Sequence, residues 1–504
     1  MPSRDDVYAA FLTELKEISL IGSTAGILGW DEQTQMPTKG ASYRGDQMAL
    51  LARLAHERLT SAKLSDLLGS LETSIKPDER ASDLAINVRE TRRSVDRAVK
   101  LPGSLVSELT RVSVLSEHAW VEARRTSDFA AFAPWLETTM ALKKQQSACY
   151  GSSAHPYDAL LEDYEPGYTT AEVTKVFSSL RDPLVALIRR VSESPVKNDG
   201  KVLARTFPKP AQEAFARSAA AAIGFDFTRG RLDVSTHPFC TTLGPSDVRL
   251  TTRYDEGFFA SAFFGVLHEA GHGMYNQGLP EADFGTPRGS YISMGIHESQ
   301  SRLWENLVGR SRSFWKHFLP KAKEHFPSIG DVAEDDWYRS INRITPGFIR
   351  VEADETTYNL HILLRFELET ALISGDLTVA DVPHAWNEKM ERYLGITPPN
   401  AALGCLQDIH WPAGLFGYFP TYTLGNLYAS QFFAQARADL GDIDSQIQEG
   451  NFTPLLSWLR RSIHAQGQSY TARQLVERVC GKPLAPDALI AHLTARATEV
   501  YDLR

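Results

Sequence analysis

Cysteine and long apolar runs are both scarce in this sequence. Its 504 residues include four cysteines, Cys149, Cys240, Cys405 and Cys480, which lie far apart and form no ligand or disulfide pattern. We therefore expect reduced thiols and a cytoplasmic protein. No run of about 18 apolar residues occurs, so we expect no membrane span. The N-terminal residues lack the apolar segment and cleavage site of a signal peptide.

Positive charge is also in short supply. Lysine and arginine number 53 against 62 aspartates and glutamates, which gives a net charge of −9, and no basic block is visible. Because phosphate binding needs a concentrated positive patch, the sequence predicts no nucleic-acid partner. Hydrophobic residues make up 43 % and charged residues 23 % of the chain, a composition typical of a soluble protein with a large core.

What the sequence does contain is the pattern His-Glu-x-x-His at residues 268–272. On a helix, His268 and His272 would lie on one face, where both imidazoles can bind one zinc ion. Glu269 would then reach a water bound to that metal and act as a general base. Residues 258–267 are strongly apolar, which favours a buried helix. The alternative is a buried helix whose histidines only donate hydrogen bonds.

A third ligand would decide between these alternatives, because a catalytic zinc usually keeps three protein ligands and one open position. Downstream of the motif, apolar residues recur with helical spacing, and Glu298 lies near the start of this second helix. Glu281, Asp283 and Glu305 are competing carboxylates, but we predict Glu298 as the ligand. His297 would point about 100° away from Glu298 on a helix, so we do not expect both to face the metal.

The remaining periodicity predicts a mainly α protein with one small sheet. Residues 1–225 show three- and four-residue apolar spacing and predict a helical lobe. Residues 226–254 alternate, are rich in β-branched side chains and contain the turn signal Gly244-Pro245, so they predict a small sheet beside the site. Residues 255–504 predict the zinc-site helices and a C-terminal helical lobe. Since no linker is visible, we predict a single catalytic domain over residues 1–504.

Several short strings extend the argument beyond the motif, because they occur together and in order over about residues 30–430. With them the chain resembles the metallocarboxypeptidases of the thermostable carboxypeptidase Taq type. The strings are WDEQTQMP at 30–37, HPF at 237–239, DVRLT at 247–251, HEAGH at 268–272, HESQ at 297–300, IRVEAD at 349–354 and GCLQDIHW at 404–411.

The resemblance implies a fold and an activity. Such enzymes release single amino acids from peptide C-termini with broad specificity. They resemble neurolysin and angiotensin-converting enzyme, as two-lobed helical molecules with zinc at the bottom of a deep cleft. They are usually homodimers, and Co²⁺ or Mn²⁺ often replaces Zn²⁺. We therefore expect a zinc-dependent homodimer that acts on peptides with a free C-terminus.

An enzyme of this kind must bind a free carboxylate, and an arginine fork matches that group with paired hydrogen bonds. Arg350, in the IRVEAD string, is the candidate. The alternative is an ion pair between Arg350 and Glu352, Asp354 or Glu355, all of which are close in sequence. We expect Asp354 to hold the arginine or a zinc histidine in place.

A tetrahedral intermediate also needs hydrogen-bond donors at its oxyanion. His410 and Tyr422 are the candidates, with Tyr418 competing with Tyr422 for the role. The alternatives are a structural histidine and a packed aromatic residue. In the small sheet, His237 and Arg249 are predicted to bind substrate or support the site, although they could serve only to stabilise the sheet edge.

These inferences lead to one preferred function and two alternatives. The preferred function is a zinc carboxypeptidase in which Glu269 deprotonates the metal-bound water. The second is a metallo-oligopeptidase that cleaves internal bonds with the same chemistry. The third is a non-catalytic, zinc-stabilised helical binding protein, which is disfavoured because structural zinc sites are closed by four protein ligands.

Overall fold

The architecture is mainly helical with a small three-stranded sheet, as the periodicity predicts. A computed structural model describes residues 2–151 and 153–503. The α-helices are α1 Arg4–Thr34, α2 Ala41–Leu59, α3 Ala62–Ser74, α4 Asp83–Lys100, α5 Gly103–Thr126, α6 Phe129–Tyr150, α7 Asp158–Leu161, α8 Thr170–Glu193, α9 Lys209–Ile223, α10 Phe259–Gly278, α11 Met294–Arg302, α12 Arg312–His325, α13 Glu334–Ile341, α14 Glu355–Ser374, α15 Val382–Leu394, α16 Pro420–Leu440, α17 Ile443–Gln448, α18 Thr453–Ser462, α19 Ala472–Cys480 and α20 Asp487–Tyr501. Within the described ranges, no helix is both long and apolar enough to cross a membrane.

The sheet lies where the alternating pattern predicts it. Its strands are β1 Gly230–Val234, β2 Cys240–Gly244 and β3 Asp247–Thr252. β3 is central, and it pairs in parallel with β1 and antiparallel with β2. Val248 and Leu250 of β3 are fully buried, and the sheet packs against α10. This packing places the edge strand β2 beside the helix that carries the His-Glu-x-x-His motif.

The core is built around α10, α11 and α16. Aromatic side chains fill the space beside the first turns of α10, where Phe259 and Phe263 stack at 5.1 Å between ring centroids. Trp315 and Trp337 pack against the same cluster and are fully buried. Burial of such large apolar surfaces is the main stabilising contribution. It fixes α10 firmly, which is the condition for holding a site in one geometry.

The segment after α11 departs from a regular α-helix. Ser293 caps the start of α11, because its side chain accepts a hydrogen bond from the backbone N–H of Ile296. Beyond Arg302 the chain continues as a π-helical turn from Leu303 to Val308. Such turns are rare and frequently occur at functional sites. This turn contains Glu305.

Candidate metal centre and active site

α10 brings His268 and His272 to one face of a helix, as their spacing predicts. The rest of the helix is largely buried, whereas the two histidine side chains keep 18 % and 15 % of their surface exposed. The imidazoles therefore lie at the boundary between the core and open space. A site in this position can hold a metal and still admit a substrate.

Glu298 of α11 completes the cluster. Its Oε2 atom lies 3.6 Å from Nε2 of His268 and 3.4 Å from Nε2 of His272. One ligand atom from each of the three residues lies within 4.8 Å of the others. The structure thus brings together the three residues that the sequence predicts, with both histidines presenting the same ring nitrogen.

Two glycines allow the three helices to approach this closely. A Cβ atom on Gly271 of α10 would lie 2.5 Å from the carbonyl oxygen of Gln300 in α11. A Cβ atom on Gly425 of α16 would lie 2.5 Å from Cγ of Glu298. Both distances are well inside van der Waals contact, so alanine at either position would push a helix away from the cluster.

The second nitrogen of each imidazole has its own partner. Nδ1 of His268 lies 2.8 Å from Oε2 of Glu305, and Nδ1 of His272 lies 3.1 Å from the carbonyl oxygen and 2.6 Å from Nδ1 of His297. The Glu305 carboxylate and the His297 carbonyl are hydrogen-bond acceptors, so each Nδ1 donates, and each Nε2 is the nitrogen that faces Glu298. This is the arrangement that orients metal-binding histidines in proteins.

Arg302 holds the carboxylates of the cluster in the charged state. Its guanidinium donates to Oε1 of Glu298 at 2.6 Å and to Oε2 of Glu305 at 3.1 Å. Burial would raise the pKa of Glu298, but Arg302 and the two histidines outweigh burial and hold that pKa well below its usual range. Glu298 is therefore ionised, as a metal ligand must be.

The donor set fits zinc. Two imidazole nitrogens and one carboxylate form a three-ligand set of the kind found in catalytic zinc sites, with one side left open. The competing carboxylates do not join this three-residue ligand group. Glu281 belongs to the turn Glu281–Asp283 and lies 3.7 Å from Arg229. Glu305 contacts His268 through the nitrogen that faces away from Glu298. His297 stacks on His272 at 4.5 Å between ring centroids.

We predict that Glu298→Ala lowers metal affinity steeply, by more than the roughly 10–100-fold that loss of an outer-shell partner costs. Glu305→Ala should cost about that smaller amount, because it frees His268 to rotate. Glu281→Ala is the matched control and should leave affinity unchanged. Zinc retained after dialysis against a graded chelator series measures all three. A larger loss for Glu305→Ala than for Glu298→Ala would contradict the ligand assignment.

Glu269 is the buried carboxylate beside the cluster. Glu269 belongs to the buried part of α10, and the residue is 6 % exposed. Burial raises the pKa of Glu269, an effect that the neighbouring His268 and His272 oppose. A raised pKa makes the carboxylate a stronger base, which suits proton transfer near neutral pH.

Arg350 lies in a buried ion-pair network whose partner the sequence did not predict. Its Nε and Nη2 atoms lie 2.9 Å and 2.8 Å from Oδ1 of Asp408, and Nη1 donates to the hydroxyl of Tyr358 at 3.2 Å. Arg365 lies on the other side, with Nε donating to Oδ2 of Asp408 at 2.7 Å.

None of Glu352, Asp354 and Glu355 is the partner of Arg350. The prediction that Asp354 holds the arginine or a zinc histidine is wrong, because Asp354 caps α14 through the N–H groups of Thr356 and Thr357.

This network carries more positive than negative charge. Arg350 and Arg365 face a single aspartate, and Asp408 is 11 % exposed at its side chain. Burial lowers the pKa of Arg365 to about 10, and Asp408 opposes this effect. Each terminal nitrogen of a guanidinium carries two N–H groups, so the Nη1–Nη2 edge of Arg350 keeps donors for a second carboxylate.

His410 and Tyr422 lie together next to Arg350. Nε2 of His410 is 3.1 Å from the hydroxyl of Tyr422, and the guanidinium carbon of Arg350 is 5.1 Å from the centre of the Tyr422 ring. Tyr422 precedes Gly425 by three residues on α16, so both lie on the helix face that meets Glu298. Tyr418 packs edge-on against Tyr422 at 5.3 Å between ring centroids.

The two sheet residues have different surroundings. Arg249 of β3 forms an ion pair with Asp247, with Nη2 to Oδ2 at 2.8 Å, and its guanidinium lies 4.3 Å from the centre of the Trp30 ring. His237 is exposed in the connection between β1 and β2. The contacts of Arg249 match the alternative of a sheet-stabilising residue. A substrate-binding role for these two residues stays a prediction.

Sequence reasoning missed Arg302, Tyr358 and Asp408 as parts of the site. Arg302 follows Glu298 by four residues, a spacing that brings side chains together on a helix, so its pairing was open to inference. Asp408 lies in the GCLQDIHW string but is remote in sequence from Arg350. Only packing joins Asp408 to Arg350.

Comparison with known proteins agrees with this geometry. The family described as carboxypeptidase Taq (M32) metallopeptidase matches residues 10–497. The chain is 44 % identical to thermostable carboxypeptidase 1 of Thermus thermophilus, over 98 % of this chain and 99 % of that protein. It is 37 % identical to carboxypeptidase 1 of Bacillus subtilis, over 97 % of this chain and 98 % of that protein.

Solved structures show the same relationship. The crystal structure of an M32 carboxypeptidase from Deinococcus radiodurans matches with a TM-score of 0.94 and 37 % identity, over 98 % of this chain and 99 % of that chain. Together these findings define a metallopeptidase. The chain belongs to the carboxypeptidase Taq (M32) family, and it is a metallocarboxypeptidase that acts on peptides.

Proposed function

We propose that this metallocarboxypeptidase uses zinc and releases single amino acids from free peptide C-termini with broad specificity. One observation carries the proposal, namely that the buried Arg350–Asp408–Arg365 network has surplus positive charge and lies against Tyr422. A terminal carboxylate would balance that charge. Every peptide with a free C-terminus carries this carboxylate, whatever its last side chain. An enzyme that recognises its substrates by this group is therefore expected to have broad specificity.

The residues divide the reaction between them. Bound zinc would supply Lewis acidity, which polarises a carbonyl and makes water more acidic. Arg350 binds the terminal carboxylate and so places the last peptide bond at the cluster. Glu269 takes a proton from the attacking water and passes it to the leaving amine. His268, His272 and Glu298 hold the metal throughout.

Tyr422 is the donor to the oxyanion, and His410 orients it. Burial lowers the pKa of His410 to about 3, an effect that Asp408 opposes, so the ring is neutral at physiological pH. We propose that His410 carries its proton on Nε2 and donates to the Tyr422 oxygen 3.1 Å away, so that the Tyr422 hydroxyl can turn its hydrogen to the substrate. Burial also raises the pKa of Tyr422 well above its usual range, so the hydroxyl stays protonated and remains a donor.

We expect Tyr422→Phe to lower kcat by about 100-fold, the cost of removing one oxyanion donor, with little change in KM. Tyr418→Phe is the matched control, since this ring packs beside Tyr422 but is not proposed to donate. Its kcat should stay within about threefold of wild type. Steady-state kinetics on the same zinc-loaded preparations test both. The reverse order of effects would assign the donor role to Tyr418.

The function itself is tested with N-blocked peptides offered as free acids and as C-terminal amides. A carboxypeptidase should cleave only the free acids and release one residue at a time, as product analysis by mass spectrometry would show. Cleavage of the amides at internal bonds would favour an oligopeptidase, and no cleavage of any peptide would favour a zinc-stabilised binding protein. Reconstitution with zinc, cobalt or manganese identifies the metals that support turnover.

Three broader features belong to the same proposal. We infer a homodimer and a two-lobed, cleft-containing likeness to neurolysin and angiotensin-converting enzyme, both from the family resemblance. A cytoplasmic location is supported by Cys149, Cys240, Cys405 and Cys480, which are all free thiols, the state that a reducing compartment maintains.

A further inference from the structure

A buried carboxylate behind the site has no part in the chemistry described above. Glu369 of α14 is fully buried. Its Oε2 atom accepts hydrogen bonds from the hydroxyl of Tyr157 at 2.6 Å and from the backbone N–H of Gly417 at 3.1 Å, and Oε1 accepts from the indole of Trp411 at 2.9 Å. A buried carboxylate is costly unless it is fully hydrogen-bonded. Here three donors satisfy Glu369, two at Oε2 and one at Oε1.

Two of these donors bracket one segment of the active site. Trp411 directly follows His410, and Gly417 directly precedes Tyr418. Glu369 therefore holds both ends of the loop 411–417, which connects His410 to the start of α16 and to Tyr422. Gly417 has φ of +93°, and a Cβ atom there would lie 2.6 Å from the carbonyl oxygen of Leu160. The loop is thus packed tightly at the point where Glu369 holds its backbone.

We propose that Glu369 is a positioning residue for catalysis, which fixes loop 411–417 so that His410 and Tyr422 meet the reacting carbonyl. The inference rests on the proposed roles of these two residues. A carboxylate suits the task because Trp411 and Gly417 present N–H groups that can only donate. A neutral amide at position 369 would have to turn its own NH₂ group toward one of them.

The first test is Glu369→Gln, assayed with full zinc loading. We expect kcat to fall about 10–100-fold with KM within about threefold, since misplacement of catalytic groups by a fraction of an ångström acts on the transition state. Metal content should equal wild type. Unchanged kcat, or a loss confined to KM, would overturn the proposal.

A matched control separates positioning from general destabilisation. Glu355 lies on the same helix, its side chain is 9 % exposed, and it pairs with His492 and Arg496 of α20. Glu355→Gln should lower the melting temperature but keep kcat within about threefold. If both variants lost kcat in proportion to their loss of stability, Glu369 would be a structural residue only.

Double variants show whether Glu369 acts through the loop. In a Tyr422→Phe background, Glu369→Gln should lower kcat by less than about threefold more, because residues that act as a unit are not additive. Trp411→Phe should restore part of the kcat of Glu369→Gln, since it removes the N–H that conflicts with the amide. The proposal would be contradicted if the losses of kcat from Tyr422→Phe and Glu369→Gln were additive and Trp411→Phe only added a further loss to that of Glu369→Gln.

These outcomes distinguish the positioning role from the proposed function. If Tyr422→Phe and His410→Ala lowered kcat but Glu369→Gln did not, the positioning role alone would fail. If neither Tyr422→Phe nor His410→Ala changed kcat, the proposed oxyanion role of these residues would fail first. A lower kcat for Glu369→Gln in that case could not be due to misplacement of His410 and Tyr422, so it would also contradict the positioning role.

Discussion

Replacing Glu269 with glutamine is expected to leave zinc bound and to remove almost all peptidase activity. The amide is nearly isosteric and leaves His268, His272 and Glu298 in place. It cannot accept a proton from water, so both the attack and the protonation of the leaving amine lose their catalyst. We expect kcat to fall by about 1,000-fold or more.

The measurement combines metal content with peptidase rate on one preparation of Glu269→Gln. Cys240, on the neighbouring edge strand β2, offers a control, because its thiol lies near Glu269 without a proposed role in the chemistry. Cys240→Ala should retain most of the rate. Turnover of Glu269→Gln near the wild-type value, with zinc bound, would remove Glu269 from the mechanism.

Arg350→Ala should damage cleavage of free-acid peptides while sparing the metal. The arginine is 6 % exposed, so its loss removes a charge-assisted contact from a site with little water. Such losses cost about 2–5 kcal/mol of transition-state binding, which is roughly 30-fold to several thousandfold in kcat/KM. Arg350→Lys should rescue poorly, because an ammonium cannot bind Asp408 and a second carboxylate with a planar fork.

The sharper measurement compares free-acid peptides with their C-terminal amides. Wild type should discriminate strongly between them, and Arg350→Ala should discriminate weakly because its free-acid rate falls toward the amide rate. Arg249→Ala is the control, since Arg249 is paired with Asp247 and stacked on Trp30. If Arg249→Ala rather than Arg350→Ala abolished the preference for free-acid peptides, Arg249 would be the residue that binds the terminal carboxylate. Arg350 would then serve only as the partner of Asp408.

Local pattern was enough to predict the elements and the motif. The helix of His268 and His272 follows from apolar spacing and from the four-residue separation, both of which are properties of one short segment. The small sheet follows from alternation and a Gly-Pro turn in the same way. Periodicity depends only on neighbours in sequence, so no knowledge of the tertiary fold was needed.

Contacts between residues that are remote in sequence could not be predicted from local pattern. Asp408 was not predicted as the partner of Arg350, because three acidic residues lie nearer in sequence and nothing local disfavours them. Asp354 was assigned a partner it does not have, since its carboxylate caps the helix that begins at the next residue. The carboxylate of Asp354 caps the helix next to it instead of pairing with Arg350. An aspartate directly before a predicted helix is a typical N-cap, so the sequence could have predicted this role.

The sequence by itself therefore determined the class of elements and the shared helix face of His268 and His272, because each rests on the local geometry of one short segment. Only the tertiary structure decided that Glu305 lies against His268 and that Arg350 shares Asp408 with Arg365. Those contacts join residues that are remote in sequence, so they depend on how the helices and the connecting segments pack. At the metal cluster, Gly271 and Gly425 allow α10, α11 and α16 to approach closely, and this effect appears only when the helices are assembled.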